Sequence, residues 1–241
     1  MPYSLEECWT EWIAKAREFS EKDVRCCAPF FSFKPDGYDQ FEDRLLLVGK
    51  ATDGWPWKDD LDQSSGLSDH DLAVHQREES SNFRKERAAS PKRHPGFWEF
   101  EQKLASRFGD TSTSRQNLIW SNLYKIGRPN GNPSKRIAEC QQGLAIKTLR
   151  TEIVEYRPTL VVFANLYAAS FYDDAVYETA GSEYRDDWIP EHEGKSNESW
   201  ALTTSSPPML WIRHPGRKSN RTFEAWIDRA EGIARSSRSR S

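Results

Sequence analysis

The stretch that decides the fold is Met209-Leu210-Trp211-Ile212-Arg213-His214-Pro215-Gly216, an apolar run that stops at a His-Pro-Gly turn. Such a run, bounded by a turn, is typical of a buried strand with the turn at its carboxyl end. In open α/β sheets, ligands bind in the crevice outside the carboxyl ends of the strands. The sequence therefore predicts that His214 lies at a site of binding or chemistry.

Two earlier apolar runs also end near residues that can carry chemistry. Residues 44–49 predict a buried strand that ends at Gly49, and Asp53 follows in the next loop. Residues 116–122 predict a second strand, which ends at Asn122. If these strand ends converge at one edge of a sheet, a carboxylate, an amide and an imidazole surround a crevice there.

The rest of the chain alternates between helical and extended patterns. Helices are predicted after a capping box at Ser4, over residues 97–108, after a cap at Ser134 and after Ser219. Further strands are predicted over residues 158–165, 200–204 and 209–212. This alternation is typical of a parallel sheet covered on both faces. We expect one α/β domain over residues 1–241, a three-layer α/β/α sandwich around a central, mostly parallel four-stranded sheet.

Three segments show no clear periodicity. Residues 58–95 are polar and charged, and we expect a long insertion or loop there. Residues 174–198 are acidic, and we expect irregular structure. Residues 235–241 are rich in Ser and Arg, which predicts a disordered tail.

Composition limits the classes of protein that the chain can be. With 37% apolar and 29% charged residues it is polar for a globular protein, and no apolar run is long enough to span a bilayer. The first residues are acidic where a signal peptide is basic, so we expect a cytoplasmic protein with no membrane partner. We also expect it to be a monomer. The net charge of −3 neither marks nor excludes a nucleic-acid binder. The four cysteines fit neither a zinc site nor a disulfide framework, so we expect reduced thiols and no metal or cofactor.

The three side chains at the strand ends suit the hydrolysis of an N-glycosidic bond. An amide both donates and accepts hydrogen bonds, as reading the edge of a base requires. A carboxylate holds a water or faces a developing cation, and a neutral imidazole N–H stabilises an anionic oxygen as it forms. Trp55 and Trp57 are candidates to hold an extruded base against an aromatic face.

The order of these motifs resembles the uracil-DNA glycosylase superfamily. Its members have a Gly-rich loop with a catalytic Asp, a strand ending in Asn, and a late His-Pro motif. Over roughly residues 44–230, the resemblance implies that Asp53 positions water, Asn122 pairs with an extruded pyrimidine beside Gly49, and His214 stabilises the departing base. It also implies contacts with duplex or single-stranded DNA from residues beside these motifs, namely Lys125, Arg213, Arg217, Lys218 and Ser219.

Two departures from the family's pattern bear on the substrate. Gly49 is followed by Lys50-Ala51-Thr52-Asp53, whereas the typical uracil enzyme has Gln-Asp-Pro-Tyr, whose Tyr closes the pocket to 5-substituents. Its absence favours a modified or bulky pyrimidine, and one hypothesis is a hypermodified phage cytosine removed as antiviral defence. After the His-Pro motif the chain carries Gly216-Arg217-Lys218 where the family has an apolar wedge, which indicates phosphate contact or a polar plug.

Other interpretations of the same residues stay open. Asp53 could be a turn former, Asn122 a cap and His214 a structural histidine, and the two Trp side chains after Asp53 could serve packing alone. The set is also compatible with a uracil-repair glycosylase, a nucleotide or nucleoside N-glycoside hydrolase, or a non-catalytic nucleic-acid-binding module.

Three further segments carry weaker signals. The basic residues within 84–87 and 91–94 form either a solvated face or a DNA-contact loop. Asp69-His70-Asp71 with His75 could suggest a metal, but their polar surroundings favour solvated side chains. Residues 93–96 repeat the Arg-His-Pro-Gly of residues 213–216, which we interpret as coincidence or a surface contact.

Overall fold

A computed structural model describes most of the chain, namely residues 3–22, 26–51, 67–89, 95–110, 115–128, 132–166, 173–190, 199–217 and 220–239. Its helices are α1 (Leu5–Glu21), α2 (Asp69–Ala89), α3 (Pro95–Arg107), α4 (Lys135–Tyr156), α5 (Asp173–Ala180) and α6 (Asn220–Arg238). Its strands are β1 (Leu45–Gly49), β2 (Leu118–Asn122), β3 (Leu160–Leu166), β4 (Ile189–Pro190), β5 (Ser199–Leu202) and β6 (Met209–Arg213). Short 3-10 helices span Tyr38–Gln40, Ser182–Asp187 and Pro215–Arg217.

The strands form one mixed sheet with the order β2-β1-β3-β6-β5-β4. Strands β2, β1, β3 and β6 run parallel, β5 pairs antiparallel with β6, and β4 pairs antiparallel with β5. The α/β class is confirmed, but the expectation of four strands in a mostly parallel sheet is wrong. The reason lies in the link between β5 and β6, residues 203–208, because a parallel crossover needs a dozen or more residues.

Helices cover both faces of the sheet, since alternate residues of the central strands join two separate apolar clusters. The first cluster joins the sheet to α1 and α4 and includes Trp12, Leu46, Val48, Leu149, Val161 and Trp211. The second cluster joins the opposite face to α3 and α6 and includes Leu47, Phe100, Trp120, Val162, Ile212 and Trp226. The strands are buried on both sides, which explains why their sequences are continuous apolar runs.

The predicted helix starts hold where the structure describes them. The side chain of Ser4 accepts from the Glu7 N–H and Glu7 accepts from the Ser4 N–H, which confirms the capping box. Ser134 caps α4 through the Ile137 N–H. Ser219, the predicted cap of α6, lies outside the described residues.

Helix α2 occupies much of the segment in which we expected a polar loop. Its buried side chains recur at helical spacing, but several of them are polar, so the sequence shows no apolar stripe. Ser80 accepts from the Phe31 N–H at 3.0 Å, and Arg84 donates to the Leu118 carbonyl at 2.7 Å. Residues 69–89 are thus held as a helix partly by hydrogen bonds to distant parts of the fold, and not by an apolar stripe alone.

Two other segments are more regular than expected. The acidic segment 174–198 begins within α5, whose Ala175 and Val176 are buried, and continues into the 3-10 turn and β4. At the carboxyl terminus, α6 extends to Arg238, which pairs with Glu42 and Asp43. Residues 235–238 are thus part of a docked helix and not of a disordered tail. None of the helices in the described ranges combines the length and the apolar composition that crossing a membrane requires.

Candidate functional site

The carboxyl ends of the four parallel strands meet at one edge of the sheet. Gly49 and Asn122 are partners in the register of β1 and β2, and His214 directly follows β6. Strands β1 and β3 lie between β2 and β6. At about 4.8 Å between neighbouring strands, the axes of β2 and β6 are about 14 Å apart, which leaves room for a ring flanked by two side chains.

Gly49, Asn122 and His214 also share one face of this edge. Successive side chains on a strand point to opposite faces, so each of these three residues lies on the same face as the residue two positions before it. Those residues, Leu47, Trp120 and Ile212, all belong to the apolar cluster that faces α3 and α6. The site therefore lies where this face of the sheet meets the carboxyl edge.

Asn122 is buried with part of its hydrogen-bonding capacity unused. Its side chain is 1% exposed, and within the described residues its Nδ2 has no hydrogen-bond partner. A Cβ built on Gly49 would lie 2.6 Å from Oδ1 of Asn122, so any larger residue at position 49 would displace the amide. Gly49 thus permits a close approach of the Asn122 side chain to the end of β1.

Trp120 presents a second buried donor at the same point. Its Nε1 lies 3.4 Å from the Cβ position of Gly49 and, in the described part of the chain, has no hydrogen-bond partner. The indole is held by four aromatic rings, with centroid distances of 4.4 Å to Phe30, 5.0 Å to Trp98, 5.9 Å to Phe97 and 6.3 Å to Phe83. We call these five rings the aromatic cluster.

The ring of His214 is oriented by a backbone hydrogen bond and by Phe97. Nδ1 accepts from the Gly216 N–H at 3.1 Å, and the ring stacks on Phe97 with centroids 5.8 Å apart and planes 21° apart. A nitrogen that accepts carries no proton, so the proton of the neutral ring is assigned to Nε2 from this hydrogen bond. His214 therefore has the tautomer that donates from Nε2.

The start of α3 rests on the turn that follows His214. A Cβ on Gly96 would lie 2.8 Å from the carbonyl oxygens of both Pro215 and Gly216. Gly96 of the first copy of the repeat thus lies against Pro215 and Gly216 of the second copy. His94 lies outside the described residues.

Lys125 is not placed to contact DNA, which corrects the expectation. Its side chain is fully buried on the other face of the sheet, where Nζ donates to Glu152 Oε1 at 2.7 Å and to Ser121 Oγ at 2.5 Å. Ser121 and Ser32 each donate to Glu152 at 2.7 Å. Burial lowers the pKa of Lys125, and Glu152 opposes that change. We call Lys125, Glu152, Ser121 and Ser32 the buried polar network. This network lies on the face of the sheet opposite to the one that carries Asn122.

The other predicted site residues have different outcomes. Arg213 is partly buried at the end of β6. Arg217 ends the 3-10 turn after His214. Five predicted site residues lie outside the described ranges: Asp53, Trp55, Trp57, Lys218 and Ser219.

In the part of the chain that the structure describes, the residues behind the weaker sequence signals have other roles. Arg84 is buried and pairs with Glu101, which also binds Arg115, so Arg84 belongs neither to a solvated face nor to a DNA-contact loop. Among the described residues, no group of three or more His, Cys, Asp or Glu side chains could hold a metal ion. None of the four cysteines, all of which lie in described ranges, forms a disulfide.

Trp120 and Phe97 are the site residues that sequence analysis missed. Trp120 stands two positions before Asn122 on a strand, so period-two alternation could have placed it on the same face. Phe97 is the third residue of α3, and no local signal brings it to His214.

Comparison of the chain with models of known protein families finds no match, and a search of the curated proteins finds no significantly similar protein. The resemblance drawn from the motifs therefore rests on the residues themselves.

Proposed function

We propose that the protein is a DNA glycosylase that hydrolyses the N-glycosidic bond of an extruded pyrimidine and leaves an abasic site. The observation that supports this most directly is the Asn122 amide, buried with an unpartnered Nδ2 on the same face and edge as His214. Leaving a buried donor unsatisfied costs about 1–3 kcal/mol, so a fold that retains one is suited to a ligand that brings an acceptor. The edge of a pyrimidine supplies such an acceptor.

The proposed reaction breaks the bond between the sugar C1′ and the base nitrogen, and the electron pair leaves with the base. His214 donates from Nε2 to a carbonyl oxygen of the base, where negative charge develops. Asp53 holds the water that attacks C1′ and faces the positive charge of the sugar. The water oxygen bonds to C1′, and its proton is released by way of the Asp53 carboxylate.

The proposed substrate is DNA that carries a modified or bulky pyrimidine, with plain uracil as the rival. The missing Tyr after Gly49 favours a larger pocket, and the hypermodified cytosines of phage DNA remain the hypothesis for a defence role. Arg213 ends β6, and Arg217, Lys218 and Ser219 come shortly after it in sequence. We propose that these four residues contact the DNA backbone.

The test is a panel of single- and double-stranded DNAs that carry uracil, thymine, 5-hydroxymethylpyrimidines or glucosylated 5-hydroxymethylcytosine. Abasic sites are scored by alkali cleavage. We expect cleavage of at least one DNA, lost in Asp53→Asn and strongly reduced in His214→Ala. Absence of abasic sites on every DNA overturns the proposal.

Free nucleosides and nucleotides form the control arm, because a nucleoside hydrolase can use the same three side chains. Charge reversal at Arg217 and Lys218 should reduce cleavage of DNA and leave any cleavage of nucleosides unchanged. Binding of DNA with no cleavage, unaffected by Asp53→Asn, would indicate a non-catalytic binding module.

A further inference from the structure

Two side chains that each carry an unused donor lie close to one point in the candidate site. Nδ2 of Asn122 and Nε1 of Trp120 have no hydrogen-bond partner among the described residues, and both side chains are at least 94% buried. Oδ1 of Asn122 and Nε1 of Trp120 lie 2.6 Å and 3.4 Å from the Cβ position of Gly49. The absence of a side chain at position 49 thus keeps both groups close to the same small space.

The two donors differ in what they can recognise. An amide offers both a donor and an acceptor, and a rotation of Asn122 by 180° would exchange them, so this residue can pair with either uracil or cytosine. An indole N–H only donates. Trp120 therefore demands an acceptor, whatever the orientation of Asn122.

The aromatic cluster fixes where that acceptor must be. Trp120 is 6% exposed and contacts four rings, among them Phe30 at 4.4 Å and Trp98 at 5.0 Å. In a close-packed interior the indole cannot turn its N–H toward water without displacing its neighbours. A preorganised donor of this kind discriminates strongly, because a ligand without the acceptor leaves the N–H unsatisfied.

We propose that Trp120 is a specificity-determining residue whose indole N–H donates to an oxygen on the edge of the pyrimidine that runs from position 4 to position 5. This inference rests on the proposed function and names its substrate class, a pyrimidine with an oxygen acceptor on that edge. The oxygen has two possible sources, the 4-oxo group of a uracil-type ring or the oxygen of a 5-hydroxymethyl group or its glycoside. Cytosine and 5-methylcytosine, which present an amino group at position 4 and no oxygen at position 5, are disfavoured.

The experiment measures binding of DNA that contains single 2′-fluoro nucleotides, since an electron-withdrawing 2′ substituent resists glycosidic cleavage. On the edge from position 4 to position 5, uracil carries only the 4-oxo oxygen and 5-hydroxymethylcytosine only the oxygen of its substituent. On the same edge 5-hydroxymethyluracil carries both oxygens, and cytosine and 5-methylcytosine carry neither. The matched variants are Trp120→Phe and Trp98→Phe, which make the same change within the aromatic cluster. Only the first removes the N–H that faces Gly49.

We expect the unaltered protein to bind at least one oxygen-bearing base about tenfold more tightly than cytosine, the value of one hydrogen bond. Trp120→Phe should abolish that preference and leave cytosine binding unchanged, whereas Trp98→Phe should keep it. Equal weakening on all bases by Trp120→Phe, or no weakening on any, overturns the inference. The base that is bound more tightly than cytosine shows whether Trp120 donates to the 4-oxo oxygen or to the oxygen of the 5-substituent.

A ligand-side arm covers the case in which Trp120→Phe does not fold. The unaltered protein is compared on uracil and 2-pyrimidinone, which differ by the 4-oxo group and by the proton on N3. It is also compared on 5-hydroxymethylcytosine and 5-methylcytosine, which differ only by the hydroxyl. Equal affinity within both pairs overturns the inference. Cleavage without this preference refutes only the inference, and the preference without cleavage of natural 2′-deoxy substrates refutes only the glycosylase proposal.

Discussion

Gly49 and Asn122 end neighbouring parallel strands so close together that a Cβ at position 49 would lie 2.6 Å from Oδ1 of Asn122. Gly49 belongs to β1 and its φ is not positive, so the requirement for glycine is one of space and not of backbone conformation. Every side chain at this position must therefore push the Asn122 amide away from the end of β1.

Gly49→Ala should reduce cleavage and base binding about 100-fold, because a shift of about 1 Å in a positioning group has effects of this size. Overpacking should lower the free energy of unfolding by about 1–3 kcal/mol. The matched control is Gly143→Ala, on α4, where a Cβ would meet no atom within 4 Å. It should raise the free energy of unfolding by about 0.5–1 kcal/mol and leave activity unchanged. Full activity in Gly49→Ala would contradict the placement of Asn122 in the site.

His214→Ala should lower the single-turnover rate about 100- to 1000-fold, because it removes one preorganised donor to the departing base. Binding of the uncleavable DNA should change little, since the charge on the base develops only in the transition state. The comparison variant is Phe97→Leu, which keeps the imidazole donor but removes its stacking partner, so it should lower the rate less than His214→Ala does. An equal loss of affinity and of rate in His214→Ala would argue for a ground-state contact.

Sequence patterns predicted the strands better than the helices for a physical reason. Strands β1, β2, β3 and β6 are buried on both faces, so their sequences are apolar runs that local inspection finds. Helix α2 is held by Ser80 and Arg84, whose hydrogen-bond partners Phe31 and Leu118 lie far away in sequence. No local pattern reports such partners, and the segment therefore resembled a loop.

Lys125→Met should lower the free energy of unfolding by about 3–5 kcal/mol, because it leaves Glu152 as a buried charge without its cation. The double variant Lys125→Met, Glu152→Gln should recover much of this loss, since neither charge is then buried. Urea denaturation of the four proteins in this cycle gives the coupling energy. The dependence of DNA affinity on salt concentration should not change in Lys125→Met. A weaker dependence would show that Lys125 does contact a phosphate.

The stability of the protein should fall in alkaline solution through Cys26. Burial raises the pKa of this thiol from 9.0 to about 11, so the folded state favours the neutral form. Its contribution is fully present below pH 9 and is lost as the pH rises through 11. The loss is on the order of 2 kcal/mol after allowance for partial exposure. Thermal unfolding of the wild type and Cys26→Ala from pH 8 to 11 measures it, and parallel curves for the two proteins would rule out this source.

The candidate site was only partly accessible from the sequence. Gly49, Asn122 and His214 each end a strand, so their convergence follows from the parallel arrangement of β1, β2 and β6. Trp120 lies within the strand predicted over residues 116–122, but a sequence pattern does not show which atoms of a buried residue lack a partner. Phe97 reaches His214 only through the docking of α3, a tertiary contact with no counterpart in local sequence.

The contact between Gly96 and the Pro215–Gly216 carbonyls has a mechanical consequence. Helix α3 presses on the turn after His214, and α6, which follows that turn, is tied back to α3 by Lys103 and Arg107 through Glu224. The turn after His214 is therefore in contact with α3 directly, and α6 is joined to α3 by ion pairs. In the proposed reaction, a turn held in this way would require the extruded base, and not the imidazole, to make the movement that brings the base oxygen to Nε2 of His214.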